Sequence, residues 1–323
     1  MRKLFSCFLA AVGLLMASPV AQAAGEKVAL FATGPTNRFV AAVSKSFLAK
    51  AAELGLQVTE FDNSYDPAVQ VQQIDDAIAR KFDMLAIMSA SEKAIIPALV
   101  RAKQAGIPVV LITNDVSDRA KGLYVSFVGE SSDALGKITG EALLKALKER
   151  GQEEAKVALI TGSLAEGNAP ARVEGFKEAV AAQPGVKIVA VEDAYWDTAK
   201  SEQIAGQLFA RFAPEGGLDA IYAMADNQAV AVQRAAEAAG IPLGVEKGKL
   251  IVVSSNCDSD GLNAIKAGKQ YSTATQVPIA AGEHAAQIVA DHLAGKEVPP
   301  LDNLVAEPIT KENVDKWMQA CTY

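Results

Sequence analysis

The sequence predicts an α/β protein made of two doubly wound lobes, each a parallel sheet with helices on both faces. Three observations lead to this prediction. Short apolar runs alternate with longer stretches of helical period along the chain. The chain has 323 residues, which is more than a single hydrophobic core usually serves. One unit of strand, helix and turn also occurs twice, which indicates two similar lobes.

The predicted strands are short runs of aliphatic and β-branched residues with helices between them. They are Lys27–Thr33, Leu56–Phe61, Asp83–Met88, Pro108–Ile112, Tyr124–Val128, Lys156–Thr161, Lys187–Val191, Asp219–Ala223, Leu250–Ser254 and Tyr271–Gln276. The predicted helices are Phe39–Leu54, Pro67–Arg80, Lys93–Gln104, Ser132–Lys148, Arg172–Ala182, Ala199–Phe212, Gln228–Ala239 and Ile279–Leu293.

The internal repeat begins at residues 82–87, Phe-Asp-Met-Leu-Ala-Ile, which lead through a helix to Ala-Gly-Ile-Pro at 105–108. Residues 218–223, Leu-Asp-Ala-Ile-Tyr-Ala, lead in the same way to Ala-Gly-Ile-Pro at 239–242. In each copy Gly fits the position after a helix and Pro opens the next extended segment. Two such lobes would turn the carboxyl ends of their strands toward one crevice, where open α/β sheets bind ligands.

Residues 1–23 have the features of a secretory signal peptide. Arg2 and Lys3 precede an apolar run that ends in small residues, and residues 21–23, Ala-Gln-Ala, fit a cleavage site. The run is shorter than the roughly 20 apolar residues that span a bilayer. We therefore expect export, a mature chain that begins near Ala24 and no membrane insertion after cleavage.

Charge and motifs exclude several classes of partner. The net charge of −7 argues against nucleic acid and against acidic membrane surfaces. Residues 129–137 resemble a phosphate loop, but six residues separate the glycines and Ile138 follows the lysine, so the Walker pattern fails. Residues 256–261 resemble the start of a calcium loop, yet the twelfth position is Ala267, and a capped helix start explains them better. We expect no cofactor and no metal.

Two cysteines, Cys257 and Cys321, remain after the predicted cleavage. Export permits their oxidation, so they form either one disulfide or two buried thiols, because the sequence does not place their Cα atoms. Neither is a candidate nucleophile, since His284 and His292 share one predicted helix and supply no obvious base. We expect no enzymatic activity.

Several features together resemble the ribose-type family of periplasmic sugar-binding proteins. They are the order of elements, the paired Ala-Gly-Ile-Pro turns, residues 131–140 (Ser-Ser-Asp-Ala-Leu-Gly-Lys-Ile-Thr-Gly) and residues 172–176 (Arg-Val-Glu-Gly-Phe). The resemblance covers essentially the whole mature chain. It implies that three segments cross between the lobes. Lobe one would then be residues 24–128 plus 277–303, and lobe two residues 129–276 plus 304–323.

The resemblance also places ligand contacts just after the strands. Asn37 matches the family's ligand amide and Phe39 its stacking aromatic, which would pack on the C–H face of a sugar. The alternative is that Asn37 caps a helix and Phe39 belongs to the core. Trp196 falls at the second aromatic position, with anchoring of a surface loop as its alternative.

Two positions depart from the family pattern. Residues 113–115, Thr-Asn-Asp, stand where ribose binders have a carboxylate followed by an arginine, and a one-residue shift would give that carboxylate role to Asp115. In the loop at 162–171 the aligned arginine position is Pro170, and Arg172 has either a ligand role or only a structural one. Losing two fork-shaped donors changes which ligand the pocket binds.

The remaining candidates are polar residues at other strand ends. Asp226 lies at a polar corner, with helix capping as its alternative, Asn256 stands where ribose binders use aspartate, and Gln276 closes a crossing strand. The complete predicted ligand set is Asn37, Phe39, Thr113, Asn114, Asp115, Asn168, Arg172, Trp196, Asp226, Asn256 and Gln276. Because charge is scarce in this set, a neutral sugar or polyol suits it better than an amino acid or a sugar phosphate.

The resulting functional hypothesis is a monomeric periplasmic protein that closes its lobes on a sugar or polyol and delivers it to an ABC permease in the inner membrane. An alternative is a sensor that presents the closed form to a chemoreceptor or a kinase ectodomain. The effector core of a repressor shares the fold, but it needs a DNA-binding head where this chain has an export signal. An enzyme ranks last.

Overall fold

The computed structural model describes residues 25–34, 36–114, 116 and 118–323, so the predicted signal peptide lies outside the described residues. In chain order the strands β1 to β12 are Lys27–Ala32, Gln57–Asp62, Met84–Ile87, Val109–Ile112, Ser126–Gly129, Ala155–Thr161, Val186–Asp193, Ala220–Ala223, Ile251–Val253, Thr273–Ala274, Leu301–Asn303 and Pro308–Ile309. The helices α1 to α10 are Arg38–Glu53, Pro67–Ala79, Ile96–Gln104, Ser132–Arg150, Asn168–Val180, Thr198–Phe212, Asp226–Ala238, Ser259–Lys266, Pro278–Leu293 and Val314–Trp317.

The strands form two parallel sheets, one in each lobe, as the sequence predicts. The sheet of lobe one has the order β11-β5-β4-β3-β1-β2, and the sheet of lobe two has the order β7-β6-β8-β9. A short antiparallel pair, β10 with β12, lies beside β9, where Val253 forms a bridge to Ser272. The strands of a parallel sheet all run in the same direction. Their carboxyl ends therefore lie along one edge of the sheet in each lobe.

Both faces of each sheet are buried, which explains why the strands are nearly continuous apolar runs. In β1, Val28 and Leu30 pack toward α1 and α9, whereas Ala29 and Phe31 pack toward α2 and α3. The second lobe has the same arrangement, with one cluster against α4 and α5 and another against α6 and α7. The predicted doubly wound α/β class is therefore confirmed.

The chain passes between the lobes three times. The first crossing separates β5, in the sheet of lobe one, from α4, which packs on α5 of lobe two. The second crossing precedes α9, which packs on α1 of lobe one. The third crossing lies between β11 in lobe one and β12 in lobe two. Backbone hydrogen bonds hold the crossings together, from Leu304 N to Gly129 O and from Thr275 N to Glu307 O. The predicted divisions after residues 128, 276 and 303 lie at or next to these crossings, and the division itself stays a prediction.

The predictions of individual elements fail where elements are very short. Strands β11 and β12 were not predicted, because two or three residues with mostly exposed side chains leave no apolar pattern to detect. The predicted capped helix start at residues 256–261 is confirmed, since the Oδ1 of Asp258 accepts from the backbone N–H groups of Asp260 and Gly261 at the start of α8.

The carboxyl-terminal tail is fixed to lobe two. A disulfide joins Cys257 to Cys321, with their Cα atoms 5.2 Å apart. Both cysteines are buried in a small cluster with Leu262, Ile309 and Val314. Among the helices that the structure describes, none combines the length and the apolar character that a membrane span requires.

Candidate ligand-binding site

A cavity lies between the lobes, at the carboxyl ends of strands from both sheets. Its lining residues are Thr33, Asn37, Phe39, Val40, Tyr65, Thr113, Asn114, Glu166, Asn168, Arg172, Trp196, Asn256 and Gln276.

The structure brings most of the predicted ligand set together in this cavity. The predicted residues that line it are Asn37, Phe39, Thr113, Asn114, Asn168, Arg172, Trp196, Asn256 and Gln276. Asp115 lies outside the described residues. Asp226 does not line the cavity.

Asp226 has a different place from the one predicted. Its buried Oδ2 accepts from the backbone N–H of Asp258 at 2.8 Å and from the Thr273 hydroxyl at 3.1 Å, and its Oδ1 accepts from the side chains of Gln270 and Ser254. The carboxylate also does not cap α7, whose N-cap is a residue without a side-chain acceptor. Protein donors already surround both oxygens. The carboxylate therefore positions residues 254–258, the segment that carries Asn256 to the cavity.

Asn37 and Phe39 satisfy both of their sequence interpretations at once. The Oδ1 of Asn37 caps α1 by accepting from the backbone N–H groups of Phe39 at 3.0 Å and Val40 at 3.4 Å, and the same side chain lines the cavity. The ring of Phe39 is half-buried, packs against the core of lobe one and lines the cavity. The cap fixes the first turn of α1, so the ring is presented at a defined position.

Trp196 is 9% exposed and lines the cavity from the side of lobe two. Its ring lies directly against the backbone of Gly162, where a methyl group would overlap the indole. Arg172 lies over the ring, with its guanidinium carbon 5.6 Å from the ring centroid. The indole thus contacts a glycine backbone and lies near a cation, a buried position unlike that of a surface-loop anchor.

Four lining residues adopt left-handed backbone conformations. Their φ angles are 62° for Tyr65, 58° for Thr113, 61° for Trp196 and 95° for Asn256. Such conformations cost on the order of 1–3 kcal/mol each for residues other than glycine, and a β-branched residue such as Thr113 is a pronounced outlier. Their concentration around one cavity indicates that the surrounding fold fixes these loops for a functional purpose.

Arg172 organises the side of the cavity formed by lobe two. It is 1% exposed, and its Nη1 donates to Asn256 Oδ1 at 3.0 Å and to Met224 O at 3.2 Å. Its Nη2 donates to Gln276 Oε1 at 2.8 Å. Both amide oxygens are therefore directed at the guanidinium, which fixes the orientation of two predicted ligand amides.

Four lining residues lie outside the predicted ligand set: Thr33 directly after β1, Val40 in α1, and the ionisable residues Tyr65 and Glu166. Glu166 lies in the polar loop at 162–171 that the sequence singled out, but a glutamate in such a loop is usually solvated. Here it is 1% exposed, and burial raises its pKa to about 8 against the opposing effects of Trp196 and Arg172. Tyr65 lies shortly after β2, at a strand end for which the sequence analysis predicts no ligand contact.

A second buried carboxyl lies at the crossings between the lobes. Glu130 directly follows β5, is 2% exposed and accepts from the backbone N–H of Val277 through Oε1 at 3.3 Å. Burial raises its pKa to about 7, partly offset by hydrogen bonds and by the charge of Arg172. It connects two of the three crossing segments. The region around Arg172 is therefore richer in ionisable groups than the sequence indicates.

The lobes touch each other at the cavity. Asn114 of lobe one donates through Nδ2 to Glu166 Oε1 at 3.3 Å and accepts through Oδ1 from Asn168 Nδ2 at 3.1 Å. Nearby, the backbone N–H of Glu92 donates to Ala165 O at 3.3 Å. These contacts join residues from opposite lobes, so the lobes are in direct contact at the cavity. In the part of the chain that the structure describes, no group of three or more His, Cys, Asp or Glu side chains is arranged to hold a metal.

The sequence matches known proteins over most of its length. The model of the periplasmic binding protein domain matches residues 28–297. The chain is 29% identical over 278 residues to the ribose import binding protein of Haemophilus influenzae, covering 86% of this chain and 89% of the relative. It is 26% identical over 308 residues to the D-allose-binding periplasmic protein of Escherichia coli, covering 94% and 95%.

Solved structures share the fold at lower sequence identity. A galactofuranose binding protein superposes with a TM-score of 0.84 at 19% identity, covering 92% of this chain and 98% of that structure. The Caulobacter myo-inositol binding protein superposes with a TM-score of 0.81 at 21% identity, covering 91% and 96%. These likenesses show the two-lobed fold.

Proposed function

The chain belongs to the periplasmic binding protein family, and from this premise we propose that it captures a neutral sugar or polyol between its lobes and delivers it to an ABC permease. It is a binding protein and not an enzyme, like the relatives that it matches. In this proposal the mature protein is a monomer in the periplasm, and the permease lies in the inner membrane.

The observation that carries the proposal is the composition of the cavity wall. Aromatic rings from both lobes, Phe39 and Trp196, line the cavity together with the amides of Asn37, Asn256 and Gln276. Aromatic faces pack on the C–H side of a sugar ring, and amides both donate to and accept from hydroxyl groups. A compact ligand with many hydroxyls can contact both the rings and the amides. The zwitterion of an amino acid needs a pair of fixed opposite charges facing it, whereas the guanidinium of Arg172 is directed at Asn256 and Gln276.

The relatives support the same ligand class. Their names record ribose and D-allose import or binding, and the solved structures that share the fold include proteins that bind galactofuranose and myo-inositol. Which sugar or polyol binds is open to direct measurement.

The ligand is held by closure of the lobes in this proposal. Asn114 meets Glu166 and Asn168 across the cleft, and these contacts exist only when the lobes are together. The three crossing segments, held to one another by backbone hydrogen bonds, would be the hinge. Binding energy then divides between ligand contacts and the free energy of closing, so affinity depends on how populated the closed form already is.

A thermal-shift and calorimetric screen tests the proposal. The ligands are D-ribose, D-allose, D-apiose, D-galactose, L-arabinose and myo-inositol, with glycine, glutamate and lysine as the contrasting class. We expect one-to-one binding of at least one sugar or polyol, weakened by Phe39→Ala. Leu164→Ala is the matched control, because this side chain is 41% exposed and does not line the cavity. Binding of an amino acid with indifference to every sugar and polyol would overturn the ligand class.

A further inference from the structure

Glu166 occupies an unusual place for a carboxyl group. It lies in the loop between β6 and α5, and its side chain is buried in the cavity wall where the two lobes meet. Its Oε2 accepts from the indole Nε1 of Trp196 at 2.5 Å, within lobe two. Its Oε1 accepts from Asn114 Nδ2 at 3.3 Å, across the cleft. The carboxyl thus connects a predicted stacking aromatic to the opposite lobe.

The hydrogen bonds that Glu166 makes with Trp196 and Asn114 come from neutral donors. The charged and titratable groups that act on it are Arg172 from α5, Asp193 from the end of β7 and Tyr65 from lobe one. The guanidinium of Arg172 favours the ionised carboxyl, but Asp193 opposes ionisation, and burial opposes it most strongly, raising the pKa to about 8. Two neutral donors compensate an ionised carboxylate less well than water does.

Closure changes the surroundings of this carboxyl. When the lobes separate, Glu166 loses Asn114 and its cavity opens to water, where an ordinary glutamate is ionised at neutral pH. When they close, the same carboxyl is buried between Trp196 and Asn114. Burying an ionised carboxylate costs several kcal/mol, whereas burying a protonated one costs much less. The protonated group also has an O–H to donate to a ligand oxygen in the cavity.

We propose that Glu166 is a ligand-binding and specificity-determining residue that takes up a proton when the cleft closes, so that closure and ligand binding are linked to pH. This inference rests on the proposed function for the ligand, since the hydroxyl-rich molecule in the cavity would accept from the protonated carboxyl. The proton uptake does not rest on that function, because contact with Asn114 of the opposite lobe contributes to the burial of Glu166 whether or not a ligand is present.

The direction of the pH dependence of closure follows from which form of the protein binds the proton more tightly. The closed form has the higher proton affinity at Glu166, so the closed fraction is greatest at low pH and falls as pH rises toward about 8. Between the ordinary glutamate range and that value, the closure equilibrium changes by up to about tenfold per pH unit for one coupled group. We therefore expect the closure equilibrium to be at least about tenfold less favourable at pH 8 than at pH 6.

Small-angle X-ray scattering of the ligand-free protein tests the proton linkage without any knowledge of the ligand. We expect the radius of gyration of the wild type to increase from pH 6 to pH 8 as the lobes open. Glu166→Gln, which has the shape of the protonated side chain and cannot ionise, should stay compact at both values. Should this variant fail to fold, Glu166→Met removes the ionisable group as well. A wild type with the same radius at both pH values would overturn the proposal, as would an equal response in the variants.

Glu130 is the competing group, because burial also raises its pKa, to about 7, and it lies at the crossings that would form the hinge. Glu130→Gln should leave the pH response in place, and a response lost with Glu130→Gln but kept with Glu166→Gln would refute the assignment. Calorimetry with D-ribose, D-allose and myo-inositol then tests the ligand role. Binding of an amino acid with failure of these three and of the other sugars and polyols in the screen refutes the proposed ligand class, while the scattering result stands or falls on its own.

Discussion

Arg38 of lobe one and Asp258 of lobe two form an ion pair beside the cleft, with Nη2 and Oδ2 2.7 Å apart. The same nitrogen lies 2.9 Å from Asp260. Arg38 is the first residue of α1, directly after Asn37, and Asp258 caps α8 two residues after Asn256. The ion pair therefore joins the two lobes next to residues that line the cavity, and it can form only while the lobes are closed.

Removing this ion pair should weaken ligand binding by lowering the population of the closed form. The side chain of Arg38 is 48% exposed, so the pair contributes about 0.2–1 kcal/mol, and Arg38→Gln should raise the dissociation constant by a factor of up to roughly five. Added salt should reduce this difference. Arg80→Gln is the control, since Arg80, the C-cap residue of α2, pairs with Asp76 of that helix, within one lobe. Calorimetry at low and high salt measures the effect, and equal weakening by both variants would contradict it.

Trp196 should be the most important single side chain for binding. Trp196→Ala removes the ring that lines the cavity and the N–H donor of Glu166, and the loss of a buried aromatic anchor typically costs at least about 2 kcal/mol, or roughly thirtyfold in affinity. The affinity of Trp196→Phe should lie between those of the wild type and Trp196→Ala, because phenylalanine keeps a ring but lacks the N–H donor. Trp317→Phe, on the tail helix α10, is the control. Unchanged affinity in Trp196→Ala would exclude stacking on this residue.

The sequence predicted the architecture well because burial on both faces gives each strand of a doubly wound sheet a continuous apolar run. Strand β1, with all but its first residue buried, is an example. The corner residues Asn37, Phe39 and Trp196 were found because strand ends mark the cleft and the family resemblance names the positions. Elements as short as β12 depend on the partner β10, so only the folded chain reveals them.

Polar residues were harder to assign, because their role depends on partners that are distant in sequence. Asp226 has the pattern of a ligand or cap residue, yet its oxygens are taken by Gln270 and Thr273. Glu166 has the pattern of a solvated loop residue, yet Trp196 and Asn114 bury it. A local sequence pattern indicates where a carboxylate lies relative to a strand end. It does not indicate which hydrogen-bond donors of distant elements will contact that carboxylate.

Gly162 should be indispensable for the position of Trp196. A Cβ at this residue would overlap the indole ring, whereas a Cβ at Gly206 in α6 meets no atom within 4 Å. Gly162→Ala should therefore displace the ring, lower the free energy of unfolding by about 1–3 kcal/mol and weaken ligand binding. Gly206→Ala should instead stabilise the protein by up to about 1 kcal/mol through the higher helix propensity of alanine. Urea unfolding and calorimetry compare the pair, and similar behaviour of both variants would show that the ring tolerates the methyl group.

The disulfide between Cys257 and Cys321 should stabilise lobe two and also support the cleft. The cysteines are 64 residues apart in sequence, and closing a loop of this length lowers the entropy of the unfolded chain by an amount worth about 4 kcal/mol. Cys257 directly follows Asn256, and both have positive φ angles, so the bond lies next to a lining residue and to the ion pair of Asp258.

Replacing both cysteines with serine should therefore reduce stability by about 2–4 kcal/mol and weaken binding as well, because the segment with Asn256 and Asp258 would lose its attachment to the tail. Chemical unfolding with and without a thiol reductant measures the first effect, and calorimetry measures the second. Removal of a surface contact in the same lobe by Lys269→Gln, which breaks the ion pair with Glu237, is the control. A double serine variant with lower stability but wild-type affinity would show that the disulfide supports only the tail. In that case the hydrogen bond from the backbone N–H of Asp258 to Asp226 would be sufficient to position Asn256.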